Sequence, residues 1–251
     1  MLKSGSTARD LYLELLIKSV SNLIYGALPA DPWNDGFFRP DAKPGRNRES
    51  PAHSMLGLLR LQNVRELVQR VVDEGIPGDF IETGVWRGGC CILMRGVLAA
   101  NSIIDRKIYV ADSFAGLPPP NPALFPRDAG AIWHTIPDLA VSLEQVRANF
   151  DRYGLLDDQV VFVKGFFSDT LPKLDAGPFA LIRLDGDMYE STHVALRYLY
   201  PKVSIGGFVV IDDYGAVAEC REAVDDYRAA SGIADTMQKI DFTGVWWRKT
   251  K

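Results

Sequence analysis

The sequence predicts an α/β fold in which helices cover both faces of a mostly parallel sheet. Three observations carry that expectation. From residue 79 onward, short apolar runs alternate with helical stretches, the rhythm of a parallel sheet with crossover helices. Two of the runs, 179–185 and 207–212, end abruptly in carboxylates, as strands do when they reach the ligand-binding edge of an open sheet. The last two strand-like runs, 236–242 and 244–248, have no helix between them and so suit an antiparallel hairpin at the sheet edge. With 251 residues, 47% hydrophobic and 24% charged, the chain suffices for one large domain of this kind.

Residues 7–25 read as a helix that covers the sheet or serves a dimer. Thr7 and Asp10 form a capping box, and Leu13, Leu16, Ile17, Val20, Leu23 and Ile24 share a face. Residues 27–52 are rich in Pro, Asp, Asn and Arg and lack periodicity, and a loop of that length is usually functional or disordered. The expected division is therefore a helix and lid segment at 1–57, then one globular unit at 58–251. A helix over 58–73 stops near Gly75 and Pro77. A strand follows at 79–82, a glycine turn at 84–89 and a helix at 90–99. The second strand is 107–112, followed by an irregular stretch to 138 with six prolines. Ser142 opens a helix that ends near residue 153, and 160–164 is a strand. Strands at 180–185 and 207–212 flank a helix beginning near Glu190, and a last helix spans 217–230.

Several functions are disfavoured by composition. A net charge of -4 without a basic stripe argues against nucleic acid as a partner. Three cysteines, with Cys90 and Cys91 adjacent, provide neither a disulfide framework nor a metal-type CxxC, which suits the cytoplasm. MLKSGSTARD has no apolar signal core, and no run is long enough for a membrane span.

The acids are the chemical signal. Asp185 and Asp187 in LIRLDGDMYEST, and Asp212 and Asp213 in GGFVVIDDYG, end two strands that should lie side by side. Buried carboxylates are costly without a cation or hydrogen-bond donors, and a hard, oxygen-preferring ion such as magnesium suits them. Glu190 also suits a helix N-terminus, and Asp213 could simply open a turn. In ETGVWRGG, a strand runs into a glycine turn whose amides could approach a ligand, or whose glycines could merely shape the turn. It is not the dinucleotide fingerprint, which disfavours a nicotinamide oxidoreductase. Glu82 and Asp112 at successive strand tips suit a nucleoside without a pyrophosphate. Gly165, Phe166, Phe167 and Ser168 could hold an adenine; alternatively the phenylalanines are core and Ser168 caps a helix. Ser54 too could be only a cap, His134 is a weak catalytic candidate, and Arg183 within its strand should pair with a carboxylate.

DFIETGVWRGG, YVADSFAGLP, AVSLEQVRANFDRYGL, DTLP, LIRLDGDMYEST and GGFVVIDDY together resemble the macrocin O-methyltransferase (TylF-like) family of sugar-modifying enzymes from natural-product pathways. The resemblance implies a doubly wound, seven-stranded, Rossmann-like class I methyltransferase fold whose last strand is antiparallel. It further implies S-adenosylmethionine and Mg2+ as cofactors, a glycoside acceptor and a homodimer. On that pattern, Glu82, Thr83 and Gly84 hold the methionine part of the cofactor, Asp112 and Ser113 the ribose, and Gly165, Phe167 and Ser168 the adenine, while Ser54 and Met55 fold over it. Asp185, also adjacent to the cofactor, joins Asp212 and Asp213 as magnesium ligands, and Asp187 is the general base. Loops 27–50 and 117–140 would shape the acceptor pocket. A catechol-type metal-dependent O-methyltransferase and a non-catalytic nucleoside-binding partner are the competing expectations.

Overall fold

The computed structural model describes residues 6–25 and 51–251, so the loop expected at 27–50 lies outside the described residues. Helices α1 (Ala8–Val20) and α2 (Leu58–Asp73) precede β1 (Asp79–Thr83). Then come α3 (Gly89–Ala100), β2 (Ile108–Asp112), α4 (Leu143–Arg152), β3 (Val160–Lys164) and the short α5 (Phe167–Thr170). The remainder is β4 (Phe179–Leu184), α6 (Tyr189–Leu199), β5 (Val203–Ile211), α7 (Ala218–Ala230), β6 (Gln238–Lys239) and β7 (Val245–Arg248). The strand order is β3-β2-β1-β4-β5-β7-β6, with β1 to β5 parallel and β7 antiparallel to both neighbours. Among the described residues, no helix is long and apolar enough to cross a membrane.

Strand alternation builds the two halves of the core. Phe80, Val110, Leu181 and Phe208 face α1 to α4, whereas Ile81, Ala111, Ile182 and Val209 face α6 and α7. β4 is buried along its whole length, as a central parallel strand covered on both faces must be. The order in which successive strands are laid down reverses between the parallel neighbours β1 and β4, and the register pairs Thr83 with Ala111 and with Leu184, and Leu184 with Ile211. Gly84, Asp112, Asp185 and Asp212 therefore emerge at one level, at the crevice where doubly wound sheets bind ligands. Gly84 is obligatory there: its φ is +78°, and a Cβ would lie 1.7 Å from the Asp185 carbonyl oxygen.

Two expectations need correction. The first helix stops at Val20 rather than at 25, because Asn22 takes a left-handed φ of 62° and leaves Ile24 and Tyr25 exposed. The terminal hairpin does sit at the edge, but its outer strand is only Gln238–Lys239 rather than the whole run 236–242, and Trp247 of the inner strand is wholly buried. The capping box of Thr7 and Asp10 forms as read.

The segment before α2 is a strap joining α1 to α3. The amides of His53 and Ser54 donate to the Val20 carbonyl, and the His53 carbonyl accepts from Gly89 at the start of α3, at 2.8 Å. Ser54 does not cap α2; its hydroxyl accepts from the Leu56 amide, and Gly57 takes the N-cap position. His53 Nδ1 lies 2.8 Å from the Tyr153 hydroxyl. Burial, aided by Arg152 and Arg87, pushes His53 down from 6.5 to about 4. Below pH 6.5 the unfolded chain gains a proton there that the folded chain refuses until about pH 4, so folding stability declines across that window. His53→Gln should flatten the decline, and urea midpoints measured across the same pH range for both proteins check it.

Candidate functional site

A cleft opens over the point where the strand order reverses. Met55 from the strap, Gly84, Asp112, Ser113, Phe166, Phe167, Ser168, Asp185 and Asp187, all expected at a site, line it. Leu117 and Leu139 join them from the loop expected to shape the acceptor pocket, and Trp86 and Glu190, which had not been singled out for the cleft wall, line it too. The remaining candidates do not reach the wall. Glu82 turns into the core, where its carboxylate accepts from Arg183 at 2.5 Å and from the Cys91 thiol at 2.7 Å. Thr83 and Ser54 are buried beneath the cleft, and Gly165 supplies a turn at φ +141°. Ser168 is no cap, since α5 begins at Phe167 and Phe166 holds its N-cap position. His134 is exposed and is not part of the wall.

The glycine turn gives its amides to the protein. The Val85 amide donates to Asp112 Oδ2 at 2.8 Å, matched from beyond β2 by Phe114 on Oδ1 at 2.8 Å, and Gly89 donates to the strap. Burial raises the Asp112 carboxyl above its usual range, and these amides partly offset that. Trp86, Phe114 and Asp187 hold left-handed backbones at φ of 50°, 55° and 56°. Strain of this kind costs of order 1–3 kcal/mol per residue and gathers where a site is preorganised.

Beyond β4 and β5, oxygens of Asp185, Asp187 and Asp213 lie within 4.8 Å of one another. Asp185 and Asp187 are half-buried and Asp213 is buried. An oxygen-only set of carboxylates that is open on one side fits a hard divalent cation. Asp212, expected as a third ligand, is placed differently. One of its oxygens accepts from Arg183 and the other from Arg60 at 2.5 Å, and Asp187 stands in the cluster instead. Arg60 also donates to Asp241 at 2.9 Å, while Arg183 reaches Asp185 at 3.1 Å as well as Glu82. Burial works against the Arg183 charge, yet Asp212, Glu82 and Asp185 raise its pKa well above the ordinary value. A row of alternating charges thus runs beneath the cleft from β1 to the β6–β7 turn. Arg60 was not singled out in the sequence, although an arginine among Leu61, Val64 and Leu67 on the apolar face of α2 was the available signal.

Residues 10–249 match the family model described as Macrocin-O-methyltransferase (TylF). The chain belongs to the macrocin O-methyltransferase family. It is thereby an O-methyltransferase of the class that draws on S-adenosylmethionine. It is 53% identical to the 8-demethyl-8-(2,3-dimethoxy-alpha-L-rhamnosyl)-tetracenomycin-C 4'-O-methyltransferase of Streptomyces olivaceus, over 97% of this chain and 94% of that one. It is 44% identical to the mycinamicin III 3''-O-methyltransferase of Micromonospora griseorubida, over 98% and 99%. The solved structure of the O-methyltransferase NovP superposes with a TM-score of 0.89 at 45% identity, covering 97% of this chain and all of NovP. The macrocin O-methyltransferase fold accounts for the sheet order, with its crevice between β1 and β4 and its antiparallel strand beyond β5.

Proposed function

We propose that this chain methylates a sugar hydroxyl of a glycosylated natural product, using S-adenosylmethionine and Mg2+. The acid cluster at the wall of the cleft carries the reading, in a chain whose relatives are named for methylation at 4' and 3'' oxygens. When bound, S-adenosylmethionine supplies an electrophilic sulfonium methyl. Magnesium, when bound, stabilises negative charge developing on an acceptor oxygen.

The chain's own residues do the rest. Asp112 and Ser113 at the tip of β2 accept ribose hydroxyls, Phe166 and Phe167 flank the base, and Met55 covers the donor from the strap. Asp185 and Asp213 supply ion ligands. A sugar hydroxyl loses its proton only far above neutral pH, so it needs a base in place. Asp187, held by its left-handed backbone at the cluster, accepts that proton at a carboxylate oxygen as the oxygen takes the methyl group. Leu117, Leu139 and Trp86 wall off water and orient the acceptor. Residues 6–25 and 51–57 act as cover, and the exposed Leu11 and Leu15, one turn apart on α1, support a homodimer. A cytoplasmic location suits the three free cysteines.

The test is incubation with S-adenosylmethionine, Mg2+ and a panel of deoxysugar glycosides and catechols, read by mass. A glycoside should gain one methyl group, and EDTA should lower the rate by about 10²-fold or more until Mg2+ is restored, the several kcal/mol a Lewis acid contributes. Methylation of catechols alone, or indifference to EDTA, would overturn the reading.

A further inference from the structure

Asp128 lies in the irregular stretch between β2 and α4, on a 3-10 turn at Pro126–Asp128, yet it is 0% exposed. Burying a carboxylate on a loop is costly unless donors meet its oxygens. Here they do. The Tyr189 amide donates to Oδ1 at 2.7 Å and the Glu190 amide to Oδ2 at 2.9 Å. These are the first two residues of α6, whose own N-cap residue, Met188, makes no capping hydrogen bond. A local residue could have done this, as Ser142 does for α4 and Thr7 for α1. Instead the cap comes from the loop, and its charge faces the positive end of the helix.

That helix starts immediately after the acid turn. The Met188 amide donates to the Gly186 carbonyl at 2.5 Å across Asp187, so the tight turn that aims Asp187 is tied at its far end to Asp128. Arg127 holds the loop down, pairing with Glu222 and, at 3.1 Å, Asp226 of α7, with its guanidinium over the Tyr189 ring. The other end of the same loop is fastened by the Trp86 indole N–H, which donates to the Asp138 carbonyl at 2.8 Å. The loop that walls the cleft and the turn that carries Asp187 are thus joined through one buried carboxylate.

We propose that Asp128 is a positioning residue for the reaction: it seats the loop against the acid turn and holds Asp187 where it can accept the acceptor's proton. This rests on the reading of Asp187 as base. The test uses Asp128→Ala and Asp128→Asn, each alone and combined with Asp187→Asn. It follows thermal unfolding, S-adenosylhomocysteine affinity by calorimetry, and kcat and KM on the active glycoside. Asp128→Ala should lower kcat by ~10- to 100-fold, with acceptor KM and S-adenosylhomocysteine affinity changed by less than about threefold. Asp128→Asn should lose less, because an amide oxygen still accepts one of the two N–H bonds, and it carries the test should the alanine variant not fold. In the Asp187→Asn background, removing Asp128 should lower the residual rate no further, since the two act through one geometry. Parental kcat in Asp128→Ala, or losses that multiply in the double variant, would overturn the inference. Full turnover by Asp187→Asn alone would instead remove the base itself, an outcome visible in the single variant.

Discussion

Asp187→Asn lowers kcat by about 10²- to 10⁴-fold, the usual contribution of a positioned general base. The amide has nearly the carboxylate's shape but cannot take the proton of a sugar hydroxyl. Asp187 packs no core, being half-buried at the cleft wall, so the melting temperature and S-adenosylhomocysteine affinity should stay near those of the parent. Weakened Mg2+ binding would show as activity recovered at high Mg2+, so the rate is read at saturating ion. A variant that turns over at the parental rate under those conditions excludes Asp187 as the base.

Arg183→Met should destabilise the protein by about 3–5 kcal/mol, the cost of leaving buried charges without their partner. The guanidinium is almost wholly inaccessible within β4 and is shared by Glu82, Asp185 and Asp212. Methionine fills much of the volume, so the loss is electrostatic rather than a cavity. Burial already raises the Glu82 carboxyl above its ordinary range, and Arg183 is the main influence restraining it. A carboxyl with a raised folded pKa favours folding at low pH and loses that advantage as pH climbs through its value. The deficit of Arg183→Met should therefore shrink as pH falls toward the carboxylate range and widen above it. Urea unfolding at several pH values measures both the size and the trend. A loss under about 1 kcal/mol would mean that the charged row contributes little to stability.

Much of the fold could be read from local chemistry. The helix at Leu58–Asp73 and the strand at Val160–Lys164 have the bounds expected of them, because Gly57 and Gly75 bracket the helix and Gly165 stops the strand. Carboxylates after Leu184 and Ile211 pointed to the working edge because apolar strands seldom end so sharply without a purpose. Side-chain direction at that edge was harder to read. Glu82 and Ile81 are sequence neighbours, but alternation sends them to opposite faces, and Glu82 meets Cys91 in the core rather than the cleft. Asp212 and Asp213 differ by the same logic, and one of the two arginines that hold Asp212 stands 152 positions earlier. No pattern of spacing reveals a partner that distant. Asp187 joins the cluster through a left-handed backbone that its residue type does not require. Asp128 was invisible as a cap because cap signals are local, and its helix lies 61 residues away.

The placement of β7 between β5 and β6 affects how the enzyme is made. Until residues 245–248 have left the ribosome, β5 presents a bare edge, and the turn bearing Asp241 has nothing to hold it beside Arg60. The donor half of the crevice uses only strands up to β4, whereas the Arg60–Asp241 bond beneath its acid-bearing half depends on the turn that leads into β7. A chain cut short of that strand would expose the edge of β5 as an adhesive surface.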